Sequence, residues 1–180
     1  MTQGGKSGAR GLIRRFLRAE RASVAVEFAL TAIPFFALLF AIIEAGVIFF
    51  VSSTIENSLN DVARLIRTGQ AQTANMTSTQ LIQKVCDNVV IVSNCTDNLK
   101  LDVRTFSTFA SVNFPSPIDK DGKLVTALQF NMGNAGDIVL IRAFYIWNVM
   151  SPLPTGLDNN SGSTRLIQSS VAFRNEPYTS

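Results

Sequence analysis

Residues 28–43 pass without a charge, and residues 45–51 continue the same apolar run behind a single interruption, Glu44. As a helix, residues 28–51 span roughly 36 Å, enough to cross a ~30 Å hydrocarbon core with some tilt. No other feature of the chain restricts its fold so strongly. A buried core helix of a soluble protein is one competing reading, and the length of the run with its basic flank argues against it. A cleaved secretory signal is the other. Its apolar part should be about 7–15 residues long and end in a small-x-small site. Here the run is longer, and Glu44 stands where that cleavage region would begin. The reading is one membrane-spanning helix. Pro34 lies inside it, removes one backbone donor and predicts a kink, with Gly46 as a second soft point.

The charge distribution orients this helix. Residues 1–23 hold Lys6, Arg10, Arg14, Arg15, Arg18 and Arg21 against Glu20, a net +5. Residues 24–51 hold only Glu27 and Glu44, and residues 52–180 balance to zero. All the excess positive charge behind the overall +3 thus precedes the apolar run. That obeys the positive-inside rule and places the N-terminus in the cytoplasm and the long C-terminal part outside. It also argues against a nucleic-acid partner, which would call for a basic face on the folded domain.

Composition removes most catalytic classes. There is no histidine, so histidine triads, histidine bases and histidine-ligated metals are excluded. Two cysteines cannot make a four-thiolate zinc site. Asp119-Lys120-Asp121-Gly122 has part of a calcium-loop pattern, but the twelfth position is Phe130 where an EF-hand needs Glu, so a solvated hairpin turn is the better reading. Three triplets, at Asn75, Asn94 and Asn159, fit the glycosylation sequon and matter only in a host that uses it. No phosphate loop is present, and no cofactor is expected.

Two carboxylates near lipid stand out, because an unpaired carboxylate at membrane depth is costly and marks a functional site by default. Glu27 and Glu44 are roughly 25 Å apart along a helix, near opposite interfaces. Glu44 reads either as an interfacial carboxylate or as a partner contact. Glu27 sits in Arg21-Ala22-Ser23-Val24-Ala25-Val26-Glu27-Phe28, a small residue followed five positions later by Glu at the head of an apolar helix.

This pattern resembles the class III signal of type IV pilin-like proteins. The resemblance implies that a prepilin peptidase cuts between Ala22 and Ser23, making Glu27 the fifth residue of the mature chain. Ala22 stands where the family usually has Gly. Over residues 23–69 the chain looks like the TadE-like domain of Tad (tight adherence) pilus systems. The resembling features are Val26-Glu27-Phe28-Ala29-Leu30, Pro34, Ile43-Glu44-Ala45-Gly46 and Leu59-Asn60-Asp61-Val62-Ala63-Arg64, and the tail 172–178 is similar too.

Beyond the membrane, Ile55, Leu59, Val62 and Ile66 fall on one helical face, so the helix is expected to leave the bilayer unbroken and lay this stripe on a domain. Asp61 and Arg64 are spaced to pair across a turn. Gly69 suits a C-terminal cap, and residues 70–76 read as a polar linker. Thr77-Ser78-Thr79-Gln80 has the form of a capping box, followed by Leu81, Ile82, Val85, Cys86 and Val89 at helical spacing. Outside the cytoplasm Cys86 and Cys95 are expected to form a disulfide, with buried free thiols as the rival. Three strand patterns follow: alternation over residues 99–108, an apolar run over 137–147, and a third over 164–173. Turn signals lie at Asp121-Gly122, at residues 133–136, and from Pro152 and Pro154 through Gly162.

The expected organisation is thus a basic leader (1–22), a transmembrane helix with an amphipathic extension (23–69) and an extracytoplasmic α+β domain (70–180), a small antiparallel sheet packed on the distal helix. The expected function is structural: a single-pass, pilin-like inner-membrane protein, a minor subunit or assembly factor of a Tad-type pilus. Its partners would be membrane lipid, other pilin-like subunits, pilus assembly proteins and the peptidase. The alternative is an uncleaved, membrane-anchored envelope binding module unrelated to filaments. An envelope enzyme is a third class, which would require a pocket with perturbed carboxylates such as Asp102 or Asp137.

Overall fold

The computed structural model describes residues 20–89, 92, 94–120, 123–125, 128–150, 155–160 and 162–178, with the side chains of residues 20–23 excepted. The basic leader up to residue 19, the Asp121-Gly122 turn and the Pro152 and Pro154 positions lie outside the described residues. The chain divides into two compact units, Met1–Ile43 and Glu44–Ser180.

Helix α1 runs Glu20–Arg67 without interruption, with Pro34 inside it. Its N-terminal part is apolar and exposed: Phe28, Leu30, Ile33, Phe35, Leu38, Phe40 and Ile42 all face outward. The most apolar window of α1 has mean hydropathy 2.5, and only 17% of it is buried, whereas a soluble core helix of that composition would be mostly buried. By length and composition α1 can cross a membrane.

In the second unit α1 becomes a packing element. Glu44, Ile48, Val51, Ile55, Leu59, Val62 and Ile66 are buried, a stripe at three- and four-residue steps. The expected stripe at 55, 59, 62 and 66 therefore extends back to residue 44, with Glu44, Ile48 and Val51 on its buried face. Each fully buried aliphatic side chain contributes about 1.5–3 kcal/mol.

Gly69 ends the helix in the left-handed region (φ 79°), and its N–H donates to the Ile66 carbonyl at 3.1 Å. Residues 70–76, expected as linker, instead include a single helical turn, α2 (Gln70–Thr73), because Ala71 is fully buried and its carbonyl accepts the Met76 N–H at 2.9 Å. Helix α3 (Ser78–Asp87) begins with the expected capping box: the Thr77 N–H donates to Gln80 Oε1 at 2.8 Å, and the Gln80 N–H to Thr77 Oγ1 at 3.3 Å. Leu81 and Val85 form its buried face. The short α4 (Cys95–Asn98) leads into the sheet.

The sheet has three antiparallel strands in sequence order: β1 (Leu99–Phe106), β2 (Ile138–Asn148) and β3 (Thr164–Arg174). All three lie where the sequence placed them. Leu99, Leu101 and Val103 share a cluster with Val139, Ile141, Ala143, Tyr145, Ile167 and Phe173, packed with the α1 stripe. The α+β class follows from this arrangement. The second face is also buried: Leu140, Arg142 and Phe144 of β2 are all nearly inaccessible. The irregular chain between β1 and β2 contributes to this cover, since Gln129 bonds Asp102 and Pro115 bonds Arg142.

Candidate functional site

The expected functional residues lie along α1. Ala22 and Ser23 are in its first turns, so the expected cleavage point falls inside helical backbone. Glu27 follows about one turn later with its side chain exposed, and its carbonyl accepts Thr31 Oγ1 at 3.0 Å. Pro34 has no N–H for the Leu30 carbonyl, yet the helix continues through it. Around this point Phe28, Thr31, Ala32, Phe35 and Phe36 line a shallow apolar notch, with the Phe35 and Phe36 rings edge to face at 5.4 Å. A small residue recessed between aromatic rings suits close helix approach.

Glu44 is buried in the second unit. Its side chain is 5% exposed, and Oε1 accepts the Met150 N–H at 2.6 Å. The carboxylate therefore belongs to the sheet unit, where it holds the chain just beyond β2 against α1. Glu27 and Glu44 are not brought together. A separation of seventeen residues at ~100° each leaves them roughly 100° apart around the helix as well as distant along it.

Cys86 and Cys95 are brought together. They form a disulfide with 5.7 Å between Cα atoms, and it joins the end of α3 to the start of α4. The free-thiol reading is set aside.

A second charged constellation escaped the sequence reading. Asp102 and Arg142 are directly opposed across β1 and β2 and are 0% and 2% exposed. Arg142 donates from Nη2 to Asp102 Oδ2 at 2.6 Å and from Nε at 3.1 Å, while Nη1 reaches the Pro115 carbonyl at 2.7 Å. Its guanidinium also lies 5.2 Å from the centre of the Phe144 ring. Arg104 Nε and the Gln129 N–H, both at 2.8 Å, complete the coordination of Asp102. Burial pushes the Asp102 carboxyl up and is the largest single influence. The bonds from Arg104, Gln129 and Arg142 together outweigh it and hold the group below its ordinary value. That direction is opposite to the one a general acid needs. Asp137 is a turn residue whose Oδ2 accepts the Asn134 N–H at 2.8 Å. Among the described residues no three His, Cys, Asp or Glu side chains cluster as a metal site requires.

The tail, noted only as a family-like ending, has a physical task. Asn175 Nδ2 donates to the Met132 and Asn134 carbonyls, each at 3.0 Å, and the Glu176 N–H donates to the Arg67 carbonyl at 2.8 Å. Tyr178 covers Gly69, where any Cβ would collide with its ring. The tail thus fastens the end of α1 to the loop before β2.

No curated protein and no solved structure matches the chain significantly. Residues 22–64 do match a family model, that of the TadE-like proteins. The matched segment starts at Ala22, contains Glu27, Pro34 and Glu44, and ends inside the buried stripe of α1. The helix that carries the candidate site is therefore similar, over residues 22–64, to the TadE-like proteins.

Proposed function

We propose that this protein is a pilin-like, single-pass inner-membrane protein that serves as a minor subunit or assembly factor of a Tad-type pilus, acting by binding and not by turnover. The observation that carries the reading is the TadE-like match over residues 22–64, which falls on an exposed apolar helix with a carboxylate near its start. The basic leader followed by a neutral C-terminal part supports a cytoplasmic N-terminus and a periplasmic sheet unit.

In this reading a prepilin peptidase cuts between Ala22 and Ser23 and creates an amine on Ser23. The Glu27 carboxylate of a neighbouring subunit neutralises that amine within a bundle of apolar helices. At 4 Å such a pair gains about 4 kcal/mol at an effective dielectric of 20, against about 1 kcal/mol in bulk water. The notch at Ala32 offers a neighbouring helix a place to approach. The sheet unit then presents its surface to other pilus components. Intact mass and N-terminal sequencing of the protein from its native membranes test the reading. A chain starting at Ser23 is the expected result. A chain retaining the basic leader would favour the uncleaved envelope module.

A further inference from the structure

The two edges of the sheet are finished differently. On β1 the outer edge is occupied: the Val103 N–H donates to the Gln129 carbonyl at 2.8 Å, and the Val103 carbonyl accepts the Asn131 N–H at 2.9 Å. On β3 the register fixes where each backbone group points. The Asn175 N–H donates to the Asp137 carbonyl and the Ser163 carbonyl accepts the Val149 N–H, so the odd-numbered residues of β3 bond to β2. The even-numbered residues turn their N–H and C=O to the outer edge. At Leu166 that edge is capped, because Asn159 Oδ1 accepts its N–H at 2.7 Å and Asn159 Nδ2 donates to its carbonyl at 3.2 Å. At Gln168, Ser170, Ala172 and Arg174 no described residue does the same. Edge strands are ordinarily blunted by proline, lysine or a bulge. Residues 168–174 contain neither proline nor lysine, and their register with β2 is unbroken. Beside this open stretch, β3 and α1 enclose a cleft of about 340 Å³. Ala63, Val171 and Phe173 supply its apolar lining, and Arg64 and Arg67 outnumber Asp61. Arg67 pairs with Glu176 at 3.2 Å, whereas Arg64 is exposed and forms no ion pair among the described residues.

We propose that residues 168–174 are a docking edge for an extended segment of a second protein, which adds a strand to the sheet beside β3 and sets an acidic side chain against Arg64. A row of alternating backbone donors and acceptors is met by another extended backbone, and pockets for alternate side chains supply the selectivity. Every second side chain of the added strand faces α1 and enters the cleft. Arg64, Arg67 and Arg174 against Asp61 and Glu176 leave an excess of positive charge around this edge. An acidic strand neutralises that excess, whereas a second copy of the same edge would set it against itself. The proposal concerns the second unit alone and does not depend on the pilus reading.

The isotope-labelled full chain in detergent micelles is titrated with an acetylated, amidated peptide, Thr-Val-Thr-Val-Thr-Asp-Thr, and with the same peptide carrying Lys in place of Asp. Amide exchange is read residue by residue by nuclear magnetic resonance. At about 90% occupancy by the Asp peptide, exchange at Gln168, Ser170, Ala172 and Arg174 should slow about tenfold, with little change at Ser169, Val171 and Phe173, which already bond to β2. The Lys peptide should bind about two- to fivefold more weakly, the range of an exposed ion pair. Ala172→Pro removes an outward N–H that β2 does not use, so it should keep the melting temperature and abolish the protection. Arg64→Glu, on the exposed side of α1, should reverse the preference between the two peptides and decides the matter alone if Ala172→Pro fails to fold. No slowing at the four amides overturns the proposal, as does slowing that survives in folded Ala172→Pro. A peptide preference unmoved by Arg64→Glu overturns it too. Slowing that follows protein concentration without any peptide would show a second copy on the edge and overturn it equally.

Discussion

Replacing Asp102 by Ala should damage the sheet unit far more than any exposed charge substitution. The carboxylate is fully buried and accepts hydrogen bonds from Arg142, Arg104 and the Gln129 backbone. Its removal leaves Arg142, itself 2% exposed, as an uncompensated charge between strands and covering loop. Breaking a buried pair from one side costs about 3–5 kcal/mol. In a unit of this size that should lower the melting temperature by on the order of 10 °C. The exposed pair Arg67–Glu176, with side chains about half accessible, supplies the internal comparison. Glu176→Ala should cost about 0–1 kcal/mol, since solvent screens the pair and the backbone bond from Glu176 to Arg67 survives. The assay is thermal unfolding of the full chain in detergent, followed by near-ultraviolet circular dichroism. The sign of the pH dependence follows from the lowered Asp102 value. A carboxyl with a folded value below its unfolded one stabilises fully above the unfolded value, near 3.9, and loses that contribution as pH falls through the folded value. The gap between the native chain and Asp102→Asn should therefore be widest near neutrality and close below about pH 4. An Asp102→Ala melting shift no larger than that of Glu176→Ala would refute the reasoning.

Three further outcomes are expected. Gly69→Ala should destabilise by at least about 1–2 kcal/mol in the same assay, because φ is 79° and the new Cβ meets the Tyr178 ring; an unchanged melting temperature would show that the tail does not lie over Gly69. Replacing Cys86 and Cys95 together by Ser should cost about 2–3 kcal/mol, and the native chain under reductant should approach the same melting temperature. Glu27→Ala should leave membrane insertion intact while reducing incorporation into the pilus apparatus, measured by pilus output and co-purification; unchanged output would count heavily against the proposed pairing with a neighbour's amine.

Much of this fold was legible as pattern. The apolar run, the stripe at Ile55, Leu59, Val62 and Ile66, the Thr77–Gln80 box, the Gly69 stop and all three strands are signals carried within short windows of sequence. Each depends on the chain's own period or on one turn's hydrogen bonds, so neighbours in sequence suffice to specify it. The one-turn helix at residues 70–73 was missed because its cause is the burial of Ala71 by distant chain.

The candidate site divides along the same line. Sequence alone determined that an uncharged helix with Glu27 near its start follows a basic leader, and that Cys86 and Cys95 are close enough along the chain to bridge. Only the tertiary structure decided that Asp102 is buried and that Glu44 faces the domain. A strand's alternation says which residues share a face and not what covers that face. Here the irregular chain between β1 and β2 contributes to the cover, and such chain has no period to read. The bond between Glu44 and Met150 joins residues more than a hundred positions apart. No local pattern encodes a contact of that separation; it exists because the packed α1 stripe and the end of β2 arrive at the same place.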